Sequence, residues 1–297
     1  MFTFFSCPKP FLGPMAIIQR NALQSWKRLP LGVEIILMGD DEGTSEVARE
    51  FGVHHIPDVA RNASGTPLIS SLFEKAQEQA THERMCYVNA DILLMSDFVR
   101  AIQRVIIDMP KSLMVGRRWN LDVKEPLDFN MDWETRLTRE ISRRGKLAPH
   151  FAIDYFVFSK GILGEIPPFA VGRPAWDNWV LYQARCKNIP VVDLTKAVTV
   201  IHQNHDYSHH SGGWAGAMKG EESKRNIQLA GEVGHVYSLL DAQYYLTQKG
   251  VRRRVTPFYS PYYLYQLLVR FSESHRFMRP LVSFIKMIGD RFLSRPC

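Results

Sequence analysis

The sequence is short of the features that mark export, membrane spanning and thiolate chemistry. Its four cysteines, Cys7, Cys86, Cys186 and Cys297, stand far apart, with no CxxC pair and no framework spacing. A disulfide-stapled domain is therefore not expected, and free thiols in a reducing compartment are. No window approaches the roughly 20 apolar residues that cross a bilayer. The opening stretch MFTFFSCPKPFLGP has no basic residue before its apolar run and reaches Pro8 too early for a secretory signal, so a cytoplasmic location is expected. Cys297 stands at the last position and not four from the end, which excludes a prenylation box. Repeats and low-complexity segments are also lacking.

What is there is a chain of 297 residues with 45% hydrophobic content, enough for one large α/β domain or two smaller ones. The net charge of +7 lies in the segment from Val251 onward, where Arg252, Arg253, Arg254, Arg270, Arg276, Arg279, Lys286, Arg291 and Arg295 face only Glu273 and Asp290. Residues 1–250 are neutral, which argues against nucleic acid as a partner. Two units are expected, 1–250 and a basic tail at 251–297.

Over the first 120 residues apolar strand patterns alternate with helical ones. FTFFS (2–6) reads as a strand, 15–28 as a helix, and VEIILMGDDEG as a strand that stops at Gly39. Thr44 to Phe51 reads as a short helix, VHHIPDV as a short strand, and TPLISSLFEKAQEQA as a helix capped by Thr66 with Pro67 at its first position. CYVNADILL reads as one buried strand, SDFVRAIQRVIID as a helix capped by Ser96, and SLMVGRRW as another strand. The succession predicts an α/β fold with a doubly wound, mostly parallel sheet flanked by helices. Ligands bind such sheets beyond the carboxyl ends of strands, where MGDD and VNAD fall.

After Trp119 the pattern loosens. Residues 120–150, with MDWETRLTREISRRGK as a polar helix, read as an insertion over the crevice. HFAIDYFVFSK returns as a strand, RPAWDNWVLYQARCKN as a helix with Pro174 near its start, and IPVVDLTKAVTVIHQNHDYSHH as one or two strands running into a loop with four histidines.

Asn89 and Asp91 are the polar residues of an otherwise apolar run, two apart and so on one face of a strand. Either the strand end turns there and Asp91 caps the next element, or the pair serves a metal or phosphate site. Lys9, Arg117 and Arg118 either neutralise phosphate oxygens or are simply solvated. Asp154 either faces an acceptor or is an internal hydrogen-bond acceptor.

In order and spacing, the strand FTFFS, the strand ending GDDEG, VNADILL, the helix opening WDNW and the late VIHQNH resemble the glycosyltransferase GT-A fold. This is the nucleotide-diphospho-sugar transferase superfamily, in its family-2-like members, and the resemblance covers roughly residues 2 to 210. It implies transfer of a sugar from a nucleotide-diphosphate donor to a hydroxyl acceptor, inverting and assisted by Mn²⁺ or Mg²⁺. Carried over, Asp91 is the metal ligand and Asn89 replaces the first Asp of the family's Asp-x-Asp element near the donor. Asp40 or Asp41 contacts the nucleobase, and Lys9 and Arg117, basic residues in loops, stay as candidates for neutralising the donor phosphates. His202, with His205 second, completes the cation site, and Asp177 is the general base. Trp176 and Trp179 stack on sugar faces or belong to the core, and Asp177 is a base or a cap.

The tail stretch RPLVSFIKMIGDRFLSR places Leu281, Phe284, Ile285, Ile288 and Leu293 on one helical stripe opposite basic residues. A basic amphipathic helix suits an anionic membrane surface and a lipid-linked acceptor, and would make the protein peripheral on the inner face of a membrane. Packing of that stripe on the catalytic domain is the other reading. Two further functions stay open: a nucleotidyltransferase, disfavoured because SCPKPFLGP lacks a Gly-rich basic loop, and a non-catalytic binder of nucleotide or glycan.

Overall fold

The computed structural model describes residues 1–30, 32–205, 216, 218–231, 235, 237–254 and 268. The amphipathic stripe, His209 and His210 lie outside the described residues.

Strand β1 (Phe2–Ser6) lies between β2 (Val33–Met38) and β4 (Arg84–Val88) and is parallel to both, and β3 (His54–Ile56) pairs parallel with β2 beyond them. All of FTFFS is buried, as befits a strand covered on both faces. Alternation sends Phe4 to one side, edge-on against Trp26 and Phe98, and Phe5 to the other, against Phe73, Tyr87 and Phe158. Each aromatic group centres one half of the core. Helices α1 (Gly13–Lys27), α2 (Thr44–Phe51) and α4 (Ser96–Asp108) cover the first side, and α3 (Ile69–Gln79) and α6 (Trp176–Cys186) the second. In α4 the buried positions are Phe98, Val99, Ala101, Ile102 and Val105, one face of the helix. Each of these side chains larger than alanine contributes about 1.5–3 kcal/mol on burial, so Ile102→Asp would break the seat of this helix.

The sheet continues through β9 (Tyr155–Ser159), β6 (Leu113–Val115), β10 (Val191–Asp193), β12 (Tyr244–Thr247) and β13 (Gly250–Arg253), making nine strands in the order β13-β12-β10-β6-β9-β4-β1-β2-β3. The neighbours of β9 and the β12–β13 hairpin are antiparallel; the other pairs are parallel. The last strand extends past residue 250, so Val251, Arg252 and Arg253 belong to the sheet.

A second sheet of four strands, β5-β11-β7-β8, is made of β5 (Ile92–Leu94), β11 (Val200–Gln203), β7 (Trp119–Leu121) and β8 (Lys146–Leu147). It packs with α5 (Trp133–Arg144) through Leu93, Leu121, Leu137, Ile141 and Ile201. Three runs of chain leave the large sheet and enter the small one: β4 into β5, β6 into β7, and β10 into β11. The breaks fall at residues 89–91, 116–118 and 194–199.

This split corrects the reading of CYVNADILL as one strand. Pairing ends at Val88, Ile92 N bonds back to Asn89 O at 3.1 Å, and Ile92 begins the other sheet. Asn89 and Asp91 therefore sit in a turn, where two-residue alternation does not apply. SLMVGRRW divides at Gly116, where only glycine fits, since a Cβ there would lie 2.3 Å from the Tyr155 hydroxyl. Thr66 and Pro67 do not open α3. Leu68 precedes that helix, and Pro67 and Leu68 form bridges to Arg61 and Ala170. Ser96 is the first helical residue and bonds Glu134, while Met95 takes the cap position. No described helix is long and apolar enough to cross a membrane.

Candidate active site

The breaks between the sheets deliver the polar residues. Asp91 comes from the first. His202 comes from β11, held in register by Ile92 of β5 and Asn120 of β7. His205 lies just beyond that strand. His205 Nε2 lies 3.0 Å and His202 Nε2 3.6 Å from Asp91 Oδ2, and one ligand atom from each residue falls within 4.8 Å of the others. Asp91 Oδ1 and His202 Nδ1 are buried without a partner.

Electrostatics hold Asp91 and His202 in the forms a cation needs. Burial pushes the Asp91 carboxyl up, but the charge field of His202, the hydrogen bond and field of His205 and the field of Lys9 outweigh it, so its pKa falls well below the usual range. Burial pushes the His202 imidazole down despite Asp91. An ionised carboxylate beside a neutral imidazole is a divalent-metal donor set.

Two buried amides brace this corner. Gln203 Nε2 donates to Ile18 O at 2.8 Å and to Asp91 O at 3.1 Å, and Gln203 Oε1 accepts from Asn21 Nδ2 at 3.1 Å. Asn21 Oδ1 in turn accepts from Leu127 N at 2.9 Å. Neither amide is among the residues that the sequence reading names. A glutamine inside VTVIHQNH is the one signal that points there, since a polar residue in a buried strand needs partners.

Asn89 does not join the triad. Its amide donates to Asp154 Oδ1 at 2.8 Å, and the guanidinium of Arg118 pairs with Asp154 Oδ2. Asp154 is 6% exposed in its side chain, so the internal-acceptor reading describes it. Asp177 stands in the first turn of α6. Its Oδ1 is buried without a partner, and removal from water, with the Asp154 charge, raises its pKa to about 7 against opposing hydrogen bonds and Arg118. The Arg118–Asp154 pair acts on both sides, since its charges are felt by Asp177 and by His202.

Lys9 is set by Gln19, whose side chain bonds both its backbone N at 2.7 Å and its carbonyl at 2.8 Å. Asp40 and Asp41 converge on Arg61, at 2.5 and 3.0 Å, and Arg61 also donates to Gly65 O. The Arg61 hydrogen bond holds the Asp40 carboxyl below its ordinary value. Arg61 gives no signal in the sequence, because its partners lie across a loop with no periodic pattern.

One expectation changes. Trp176 is 5% exposed and packs between Tyr87 and Phe156, with ring centres 5.1 and 5.4 Å away, so it is core and offers no face to a sugar. Trp179 likewise packs on Phe169. Arg117 leaves the chain away from its neighbour Arg118: its Nε donates to Ala148 O, and among the described residues it forms no ion pair with Asp91 or Asp154.

No family model matches the sequence, and no curated protein matches it. Among solved structures the chain is similar to S. aureus TarS 1-349 in complex with UDP-GlcNAc, with a TM-score of 0.48 at 11% identity, covering 70% of this chain and 60% of that one. It is similar to the mannosyltransferase PcManGT from Pyrobaculum calidifontis in complex with GDP-Man and Mn²⁺, with a TM-score of 0.45 at 10% identity over 67% of this chain and 56% of that one. It is also similar to M. tuberculosis glucosyl-3-phosphoglycerate synthase, with a TM-score of 0.47 at 13% identity over 78% and 81%. The chain spans 60% of the length of the TarS 1-349 structures.

Proposed function

We propose that the chain is a nucleotide-sugar-dependent glycosyltransferase of GT-A type that inverts the configuration of the transferred sugar. The observation that carries the reading is the pair of oppositely tuned carboxylates, Asp91 among histidines and Asp177 with one buried oxygen unpartnered, with the Arg118–Asp154 ion pair acting both on Asp177 and on His202 beside Asp91. Asp91, His202 and His205 would hold Mn²⁺ or Mg²⁺, which when bound supplies charge neutralisation for a leaving diphosphate. Lys9 adds positive field on the same side. Asp40, Asp41 and Arg61 form the polar wall at the end of β2 where a nucleobase would be read. Asp177 takes the proton from the acceptor hydroxyl as it attacks the sugar, and a carboxyl raised to about 7 is a stronger base than an ordinary one while still half ionised at neutral pH. Asn89 serves by fixing Asp154 and leaves Asp91 as the acidic member of the cation site.

Calorimetric titration of UDP, GDP and CDP with and without Mn²⁺, on the native chain and on Asp91→Ala, tests the donor half. Binding of one nucleotide should tighten with Mn²⁺ and lose that dependence in the variant. If no nucleotide shows metal-linked binding, the mechanism is wrong.

A further inference from the structure

We propose that Arg117, with His150 and Arg254 beside it, forms an oxyanion site on the acceptor side of the crevice, taking a phosphate or carboxylate group carried by the acceptor. The inference rests on the transferase reading above and narrows its acceptor class.

After Gly116 the consecutive arginines part: the Arg118 guanidinium pairs with Asp154, whereas the Arg117 side chain donates to Ala148 O and its backbone N donates to Thr195 Oγ1 just past the end of β10. There the nearby carboxylate is already engaged. Asp193 Oδ1 accepts from Thr195 N and Oγ1, and Asp193 Oδ2 pairs with Arg254. Arg117 is half-buried and bonds a main-chain carbonyl, with no carboxylate at ion-pair distance among the described residues. Burial lowers its pKa, with Asp193 the opposing influence. His150 stands in the fields of Arg117, Asp193 and Arg254, and its Nδ1 is buried without a partner. Half-buried charge and buried ring nitrogens need partners. One guanidinium in surplus and one unused imidazole nitrogen make a site for a planar or tetrahedral oxyanion, for which the arginine fork is suited.

The acceptor side is indicated by what the cluster is tied to. Asn178, next to Asp177, donates to Phe151 O at 3.3 Å and to Tyr237 O at 2.7 Å, and Leu239 N donates to His150 O at 3.0 Å. The wall that holds His150 is thus fastened to the helix that holds the base. Phe151, 53% exposed, adds an apolar surface beside it.

The test is histidine ring NMR on the full chain at pH 8, titrating inorganic phosphate in one arm and acetate in the other. His150 signals should shift saturably with at least one anion, and the preferred anion names the group that the acceptor carries. Arg117→Gln should weaken that response at least tenfold, and Arg117→Lys, which keeps the charge without the fork, by less. No saturable shift of His150 in the native chain with either anion overturns the proposal without recourse to a variant, and so does an unchanged response in Arg117→Gln. Failure of the donor reading has another signature: His202 and His205 then stay unmoved by Mg²⁺ with UDP, GDP or CDP, whatever His150 does.

Discussion

At one corner of the crevice Asp91 is removed from water and grows more acidic; at the other Asp177 is removed from water and grows less so, to about 7. Burial acts in the same direction on both. What separates them is company: two imidazoles and the field of a lysine surround Asp91, whereas Asp177 has one oxygen without a partner and another carboxylate, Asp154, nearby. Divergent environments acting on one residue type assign a ligand and a base.

Breaking the contrast at the base should have the largest effect. Asp177→Asn should lower kcat by about 10²- to 10⁴-fold while nucleotide binding persists, measured by donor turnover and calorimetry side by side. In the native enzyme the rate should rise through a single ionisation near pH 7, the value raised for Asp177, and that limb should vanish in the variant. Next comes the ligand corner: Asp91→Asn should weaken Mn²⁺ affinity about 100-fold or more, beyond the roughly 10- to 100-fold typical of residues that only orient a ligand. Gln203→Ala falls in that lower range, because it loosens Asp91 through its carbonyl without removing a donor atom; Gln203→Glu should restore little, since it cannot donate to Ile18 O and Asp91 O. Metal titration followed by electron paramagnetic resonance separates the three.

The smallest effect is on stability. Between the ordinary carboxyl pKa, about 4, and 7, the folded chain keeps a proton on Asp177 that the unfolded chain has lost, so this residue weakens folding as pH rises through that window. Asp177→Asn should therefore raise stability at pH 8 by on the order of 1 kcal/mol and have little effect at pH 4. Asp91 has the opposite sign: its lowered pKa contributes stability above the unfolded value that is lost as pH falls through and below it. Thermal denaturation across pH 3–8 on both variants would show the slopes diverging, and parallel slopes would break the comparison.

Much of the large sheet is legible in the sequence because its strands carry their own signal. FTFFS is buried on both faces and says so in composition, and the helix over Thr44–Phe51 has the bounds expected of it. Asp91, singled out as a polar residue in an apolar run, and His202 and His205, joined to it by the resemblance, lie within reach of one another in space. The small sheet is less legible, since strands of two to four residues are too short for a period, and a strand that changes sheets midway looks continuous when only its apolar content is read. Trp176 misleads for a related reason: a tryptophan next to a candidate base has the same letters whether its ring faces a sugar or Tyr87. Arg61, Asn21 and Gln203 act through partners remote in sequence, and residue type alone does not announce a bond such as Asn21 to Gln203, 182 positions apart.

The change of sheets has a consequence for how the molecule assembles. The bond between Asp91 and His205 spans 114 residues, and β5 pairs directly with the distant β11. Closing such a loop is entropically costly before its contacts form, so pairing of the small sheet belongs to the late steps of folding. A chain released from synthesis with the large sheet formed and the small one open would have its base in place and its cation ligands scattered. Acquisition of metal affinity would then be a marker of completed folding, lagging behind the burial of Trp26 and Phe98 in the first half of the core.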